Sequence, residues 1–138
     1  MKLTLLLAAA GLALALPLAC AAVSPQSPSL DREFDLRAGA SARLEGTDLL
    51  VRFEGVPNDS RCPVDVQCIT AGDATVALRV EGGGTSAATY QLHTLDDPKQ
   101  ARHGSYGIVL VGLAPRPVST RTIPAGDYVA TVLVSRAE

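Results

Sequence analysis

The residue types best suited to chemistry in this 138-residue chain lie in one polar stretch, Asp59-Ser60-Arg61-Cys62-Pro63-Val64-Asp65-Val66-Gln67-Cys68. Catalytic dithiols favour a C-x-x-C spacing with one thiol at a helix start. Cys62 and Cys68 are spaced more widely and no helical pattern follows them, so a structural Cys62–Cys68 disulfide is expected. Closing so short a loop stabilises by about 2 kcal/mol on the chain-entropy estimate, and Pro63 restricts it further. Asp59, Ser60, Arg61 and Asp65 are the candidate binding residues, read as charge exposed on a rigid loop. The competing reading is local: Asp and Ser cap turns through their own side chains, and Arg61 pairs with Asp59 or Asp65. A nucleophilic Ser60 would need a base and an oxyanion hole. His93 falls on the outward parity of its segment and His103 in a loop, and nothing in the sequence brings either to Ser60.

Two other groups have residue types that could carry chemistry. His93, Asp96, Asp97 and His103 form a loose polar set, and imidazole with carboxylate suits zinc or copper. Their spacing matches no defined site, so no metal and no cofactor is expected. Gly82-Gly83-Gly84 precedes no helix that could hold a phosphate, and it reads as a flexible hairpin loop.

The elements that must position the cysteine stretch are strands. Period-two alternation runs from Glu33 onward, the mark of a strand with one buried face. It is clearest where Ala74, Val76, Leu78 and Val80 alternate with Thr75, Ala77, Arg79 and Glu81. Tyr106 to Leu113 is apolar on both parities and reads as a central strand. Turn signals separate the segments at Gly39, Gly46-Thr47-Asp48, Gly82-Gly83-Gly84, Asp96-Asp97-Pro98 and Pro124-Ala125-Gly126-Asp127. The expected fold is all-β: a small Ig-like sandwich of about seven antiparallel strands, with a small barrel as the alternative.

Ahead of this domain, Lys2, the uncharged run Leu3–Leu16, Pro17 and the small residues Ala19 to Ala22 have the layout of an export signal. The expected organisation is a signal peptide over 1–21, a flexible spacer over 22–32 rich in Ser and Pro, and a single all-β domain over 33–138. Two processing routes fit. Ala19-Cys20-Ala21 suits cleavage that releases a soluble protein, the preferred route. Cys20 also suits lipidation, with Pro17 a poor residue at the third position before it. Either route removes or acylates Cys20 and leaves Cys62 and Cys68 as an even pair.

Residues 59–72 also carry a resemblance. Asp59-Ser60-Arg61-Cys62-Pro63, four residues, Cys68, two residues and Ala71-Gly72 resemble a family of small, uncharacterised bacterial secreted proteins and lipoproteins. Phe53 with Val56, and Tyr128, Ala130 and Val134, extend the likeness over roughly 34–135. Members often carry Trp two positions after the second cysteine, where this chain has Thr70. The resemblance implies a compartment and a fold, and no activity.

Bulk charge excludes some functions. With 12 basic and 14 acidic residues the formal net charge is −2, and there is no Trp. That argues against a nucleic-acid or anionic-membrane surface and against a sugar site built on stacked indoles. The expected function is therefore non-enzymatic: an exported envelope or secreted module that binds a protein or an envelope component through the disulfide-braced loop. Membrane contact is expected only through a lipid at Cys20. A secreted inhibitor, for instance of a protease, presenting the same loop is the alternative, and a metal carrier ranks below both.

Overall fold

Alternating apolar residues give strands that bury one face each, and the chain stacks those faces as two sheets. The computed structural model describes residues 27–138, so the expected signal peptide and Cys20 lie outside the described residues. Eight strands follow in order: β1 (Glu33–Arg37), β2 (Ser41–Arg43), β3 (Leu50–Asp59), β4 (Ala74–Gly82), β5 (Thr85–His93), β6 (Gln100–His103), β7 (Tyr106–Ala114) and β8 (Val129–Arg136), with a short 3-10 turn at Ala125–Asp127. They form two antiparallel four-stranded sheets, ordered β1-β8-β7-β6 and β2-β3-β4-β5. The architecture is the expected small sandwich, without barrel closure. Every bonded pair except β1 with β8 joins strands consecutive in sequence. The connectivity within each sheet is thus largely a meander, favoured because short turns pair chain neighbours, and the chain passes from one sheet to the other between β1 and β2 and between β5 and β6.

The core lies between the sheets. Val51, Phe53, Val76, Leu78, Val80 and Leu92 from one sheet meet Ile108, Leu110, Ala130, Val132 and Val134 from the other. The two segments with the longest apolar series, β4 and β7, are interior strands of their sheets.

Register and hydrogen bonds define two poles. At one, the turns are tight and interlocked. The Gly83 amide donates to Asp48 Oδ1 at 3.1 Å, and a Cβ on Gly104 would stand 2.6 Å from the Gly83 carbonyl oxygen. The glycine run is therefore a packed turn rather than a free one. Part of the expected spacer is also held here: the Glu45 amide donates to the Pro28 carbonyl and the Asp31 amide to the Val134 carbonyl, both at 2.8 Å. At the opposite pole lie the longer connections, 60–73, 94–99 and 115–128.

His103 corrects a sequence expectation. It ends β6 instead of lying in a loop, is 1% exposed, and sits at the tight-turn pole. Its Nδ1 is 3.0 Å from the Tyr90 hydroxyl and its Nε2 is 3.0 Å from the Gly82 carbonyl oxygen. His93 ends β5 at the other pole, so the two histidines form no cluster.

Candidate binding site at the cysteine-loop pole

The ladder between β3 and β4 continues beyond both strands. The Ser60 amide donates to the Asp73 carbonyl at 2.7 Å and the Cys62 amide to the Ala71 carbonyl at 2.8 Å. The loop is thus an extension of the hairpin, narrowed at Cys62. From there the Cys62–Cys68 disulfide, with Cα atoms 5.9 Å apart, closes the tip. Gly72 makes the narrowing feasible. Its φ is +67°, and a Cβ there would stand 1.8 Å from the Ser60 carbonyl oxygen. Only glycine supplies both that backbone region and that clearance. The Ala71-Gly72 end of the motif therefore has a steric cause.

Asp59 and Arg61 are not the exposed recognition charges expected of them. Their side chains are 11% and 12% exposed. Arg61 Nη2 and Nε donate to the two Asp59 carboxylate oxygens at 2.7 and 2.8 Å, the fork geometry that makes such pairs strong. The same guanidinium donates to the carbonyls of Leu113 at 2.8 Å and Pro115 at 2.9 Å. The Tyr128 hydroxyl completes the group, donating to Asp59 Oδ2 at 3.0 Å. Burial works to raise the Asp59 pKa, but hydrogen bonds and charge from Arg61 outweigh it and hold the carboxyl below its ordinary value. Burial and the Asp59 bond together push the Tyr128 phenol up. The group ties β3 to the end of β7 and the start of β8.

The other two candidates are also engaged. Ser60 is exposed, but its hydroxyl donates to the Asp73 carbonyl at 2.9 Å and accepts from the Asp73 amide at 3.2 Å. Asp65 is exposed and accepts from the Ser119 amide at 2.8 Å and the Ser119 hydroxyl at 2.5 Å, which lowers its pKa. With the Val64 amide donating to the Pro117 carbonyl at 3.0 Å, these bonds dock the cysteine loop on the 115–128 connection.

Sequence reasoning missed Asp73, the junction to the 94–99 connection. Its carboxylate meets His93 Nδ1 at 2.5 Å, the Thr94 hydroxyl at 3.0 Å and the Leu95 amide at 2.8 Å. Burial alone would raise its pKa, and these donors reverse that and depress it strongly. No hydrogen bond joins Ser60 to His93 among the described residues, because His93 takes the carboxylate and Ser60 the backbone of Asp73. Likewise no set of three or more His, Cys, Asp or Glu side chains is placed to hold a metal ion among the described residues. The signal available in sequence was Asp73 directly before a strong strand, an ordinary capping position.

Beside the polar side chains engaged in these bonds, the loop presents exposed apolar ones. Val64 is 52% exposed, Val66 44% and Ile69 105%. Leu95, on the neighbouring connection, is 49% exposed. Ile69 lies in a short span whose flanks are both pinned to Cys62, through the disulfide at Cys68 and through the Ala71 carbonyl. The Cys62–Cys68 pairing fits an oxidising compartment.

Comparison with known proteins found no matching family model, no matching curated protein and no matching solved structure.

Proposed function

We propose that this is an exported, non-enzymatic binding module that engages a protein or envelope component through the cysteine-loop pole. One observation carries the reading. A crest of aliphatic side chains, Val64, Val66 and Ile69, stands exposed on a loop held by a disulfide and by bonds to both neighbouring connections. Exposed aliphatic side chains grouped on one loop point to a contact surface, as singly scattered ones do not. A loop already ordered loses little entropy on binding. The resemblance of 59–72 to small secreted proteins and lipoproteins, and the signal-like layout of 1–21, agree with export, released or anchored at Cys20. In this reading Asp59 and Arg61 support the pole from inside, and Asp65 and Ser60 fix its outline.

Capture from an envelope extract by the folded domain tests the reading. A variant with Val64, Val66 and Ile69 all replaced by Ser should keep its melting temperature and lose the captured partner. Undiminished capture would refute the proposal. An inhibitor is the second reading, favoured by the pinning of Ile69 on both sides. It requires that the domain slow at least one protease in a panel, and that Ile69→Ser abolish the effect.

A further inference from the structure

The connection 115–128 is long, and the 3-10 turn at Ala125–Asp127 is its only helical or strand element. Connections of that length inside a compact domain are mostly functional or disordered. This one is ordered. Pro115, Pro117 and Pro124 restrict its backbone. Val118 and Arg121 form an antiparallel bridge, closed by the Arg121 amide donating to the Val118 carbonyl at 3.0 Å. The Arg61 guanidinium holds the Pro115 carbonyl, and Asp65 holds the Ser119 amide. Within this framework lies a cavity of about 230 Å³, with Pro115, Arg116, Val118, Arg121, Ile123 and Asp127 among its lining residues. The lining combines two chemistries. Val118 and Ile123 are half-buried and apolar, and Ile123 packs against the core. Arg116 and Arg121 are exposed, and neither is in an ion pair among the described residues. Arg61, by contrast, is consumed inside the fold by Asp59 and two carbonyls. Asp127 brings one carboxylate to the cavity against two guanidiniums, so its lining keeps a positive excess.

We propose that this cavity binds the C-terminus of a peptide ending in an aliphatic residue. Arg116 and Arg121 hold the terminal carboxylate, and Val118 and Ile123 receive the side chain. A guanidinium presents paired donors that match a carboxylate. The small positive excess suits one carboxylate better than a polyanion. Size narrows the ligand further. Pockets for drug-sized ligands run to about 300–1,000 Å³, so this smaller cavity takes one or two residues of a chain. A C-terminal aliphatic residue carries a carboxylate and an apolar group together, whereas an Asp or Glu side chain offers the carboxylate alone. Capture of a chain terminus is a recurring mode of peptide recognition. The cavity lies on the connection that docks the cysteine loop. It therefore adds a ligand class to that pole, and it uses none of the crest residues Val64, Val66 and Ile69.

Titration of the natively processed protein with acetyl-valyl-leucine, followed by backbone amide NMR shifts, tests this. The shifts should saturate at millimolar peptide and centre on 115–127. The same dipeptide as its C-terminal carboxamide should bind about tenfold more weakly. A variant with Arg116→Gln and Arg121→Gln should keep its melting temperature, since both side chains are exposed, and should no longer prefer the acid. Absence of a saturable shift in the wild type would overturn the proposal. So would shifts centred elsewhere, equal binding of acid and carboxamide, or a double variant that still prefers the acid. Partner capture through the crest can survive each of these failures, because it is read with variants of different residues.

Discussion

Arg61 joins parts of the chain that lie far apart in sequence. Its guanidinium neutralises Asp59 and satisfies two carbonyls at the end of β7. Truncation leaves Asp59 as a largely buried charge without its counter-ion, the situation in which losing one partner costs most. Arg61→Ala should therefore destabilise by about 3 kcal/mol in denaturant titration, and a loss under about 1 kcal/mol would show the pair to be idle. The carboxylates predict an acid limb. Asp59 and Asp73 both have folded pKa values below the ordinary 3.8. Their contribution is complete above that value and is lost as pH falls through the lower folded values. Stability measured downward from pH 5 should decline below about pH 4, and Asp73→Asn should flatten the decline. An identical acid limb in that variant would contradict the assignment. The pairing of Arg61 with Asp59 was one of the two roles legible in the motif. Its burial was not, because the carbonyls that complete it, of Leu113 in β7 and Pro115 just after it, lie more than 50 residues onward.

Among the elements, β4 and β7 were the most legible, since each has a long apolar series and each is an interior strand. Leu78 is fully buried and Leu110 is 6% exposed, so Leu78→Ala or Leu110→Ala should cost about 2 to 5 kcal/mol. A loss below about 1 kcal/mol at both would refute their core positions. The cysteine hairpin depends on one glycine. Gly72→Ala meets the Ser60 carbonyl and a disfavoured φ together, so it should loosen the tip and expose the amides of Ser60 and Cys62 to solvent exchange. Unchanged protection there would contradict the steric account. The packed glycine turn and the buried His103 were not legible for a common reason. Gly83 and His103 meet only because β6 lies beside β5, and a glycine run or a lone histidine carries no record of a neighbour on another strand.

For the whole molecule, the two-sheet sandwich followed from periodicity and turn spacing, whereas the division of labour between its ends did not. Long connections gather at one pole because β3, β5 and β7 all end there, and they brace each other through Asp73, Asp65 and Arg61. The first described residues and the C-terminal strand end lie at the other pole. A tether at the N-terminus would thus hold the domain with its cysteine loop facing away. This asymmetry leads to the central claim, that the cysteine-loop pole is where the protein binds. Hydrogen–deuterium exchange of the domain, free and in complex with the protein it captures, tests that claim most directly. The account predicts slowed exchange confined to 63–71 and the adjoining 94–99 and 115–121. Slowing confined to the tight turns at 44–49, 82–84 and 104–105, with the cysteine loop unchanged, would contradict it.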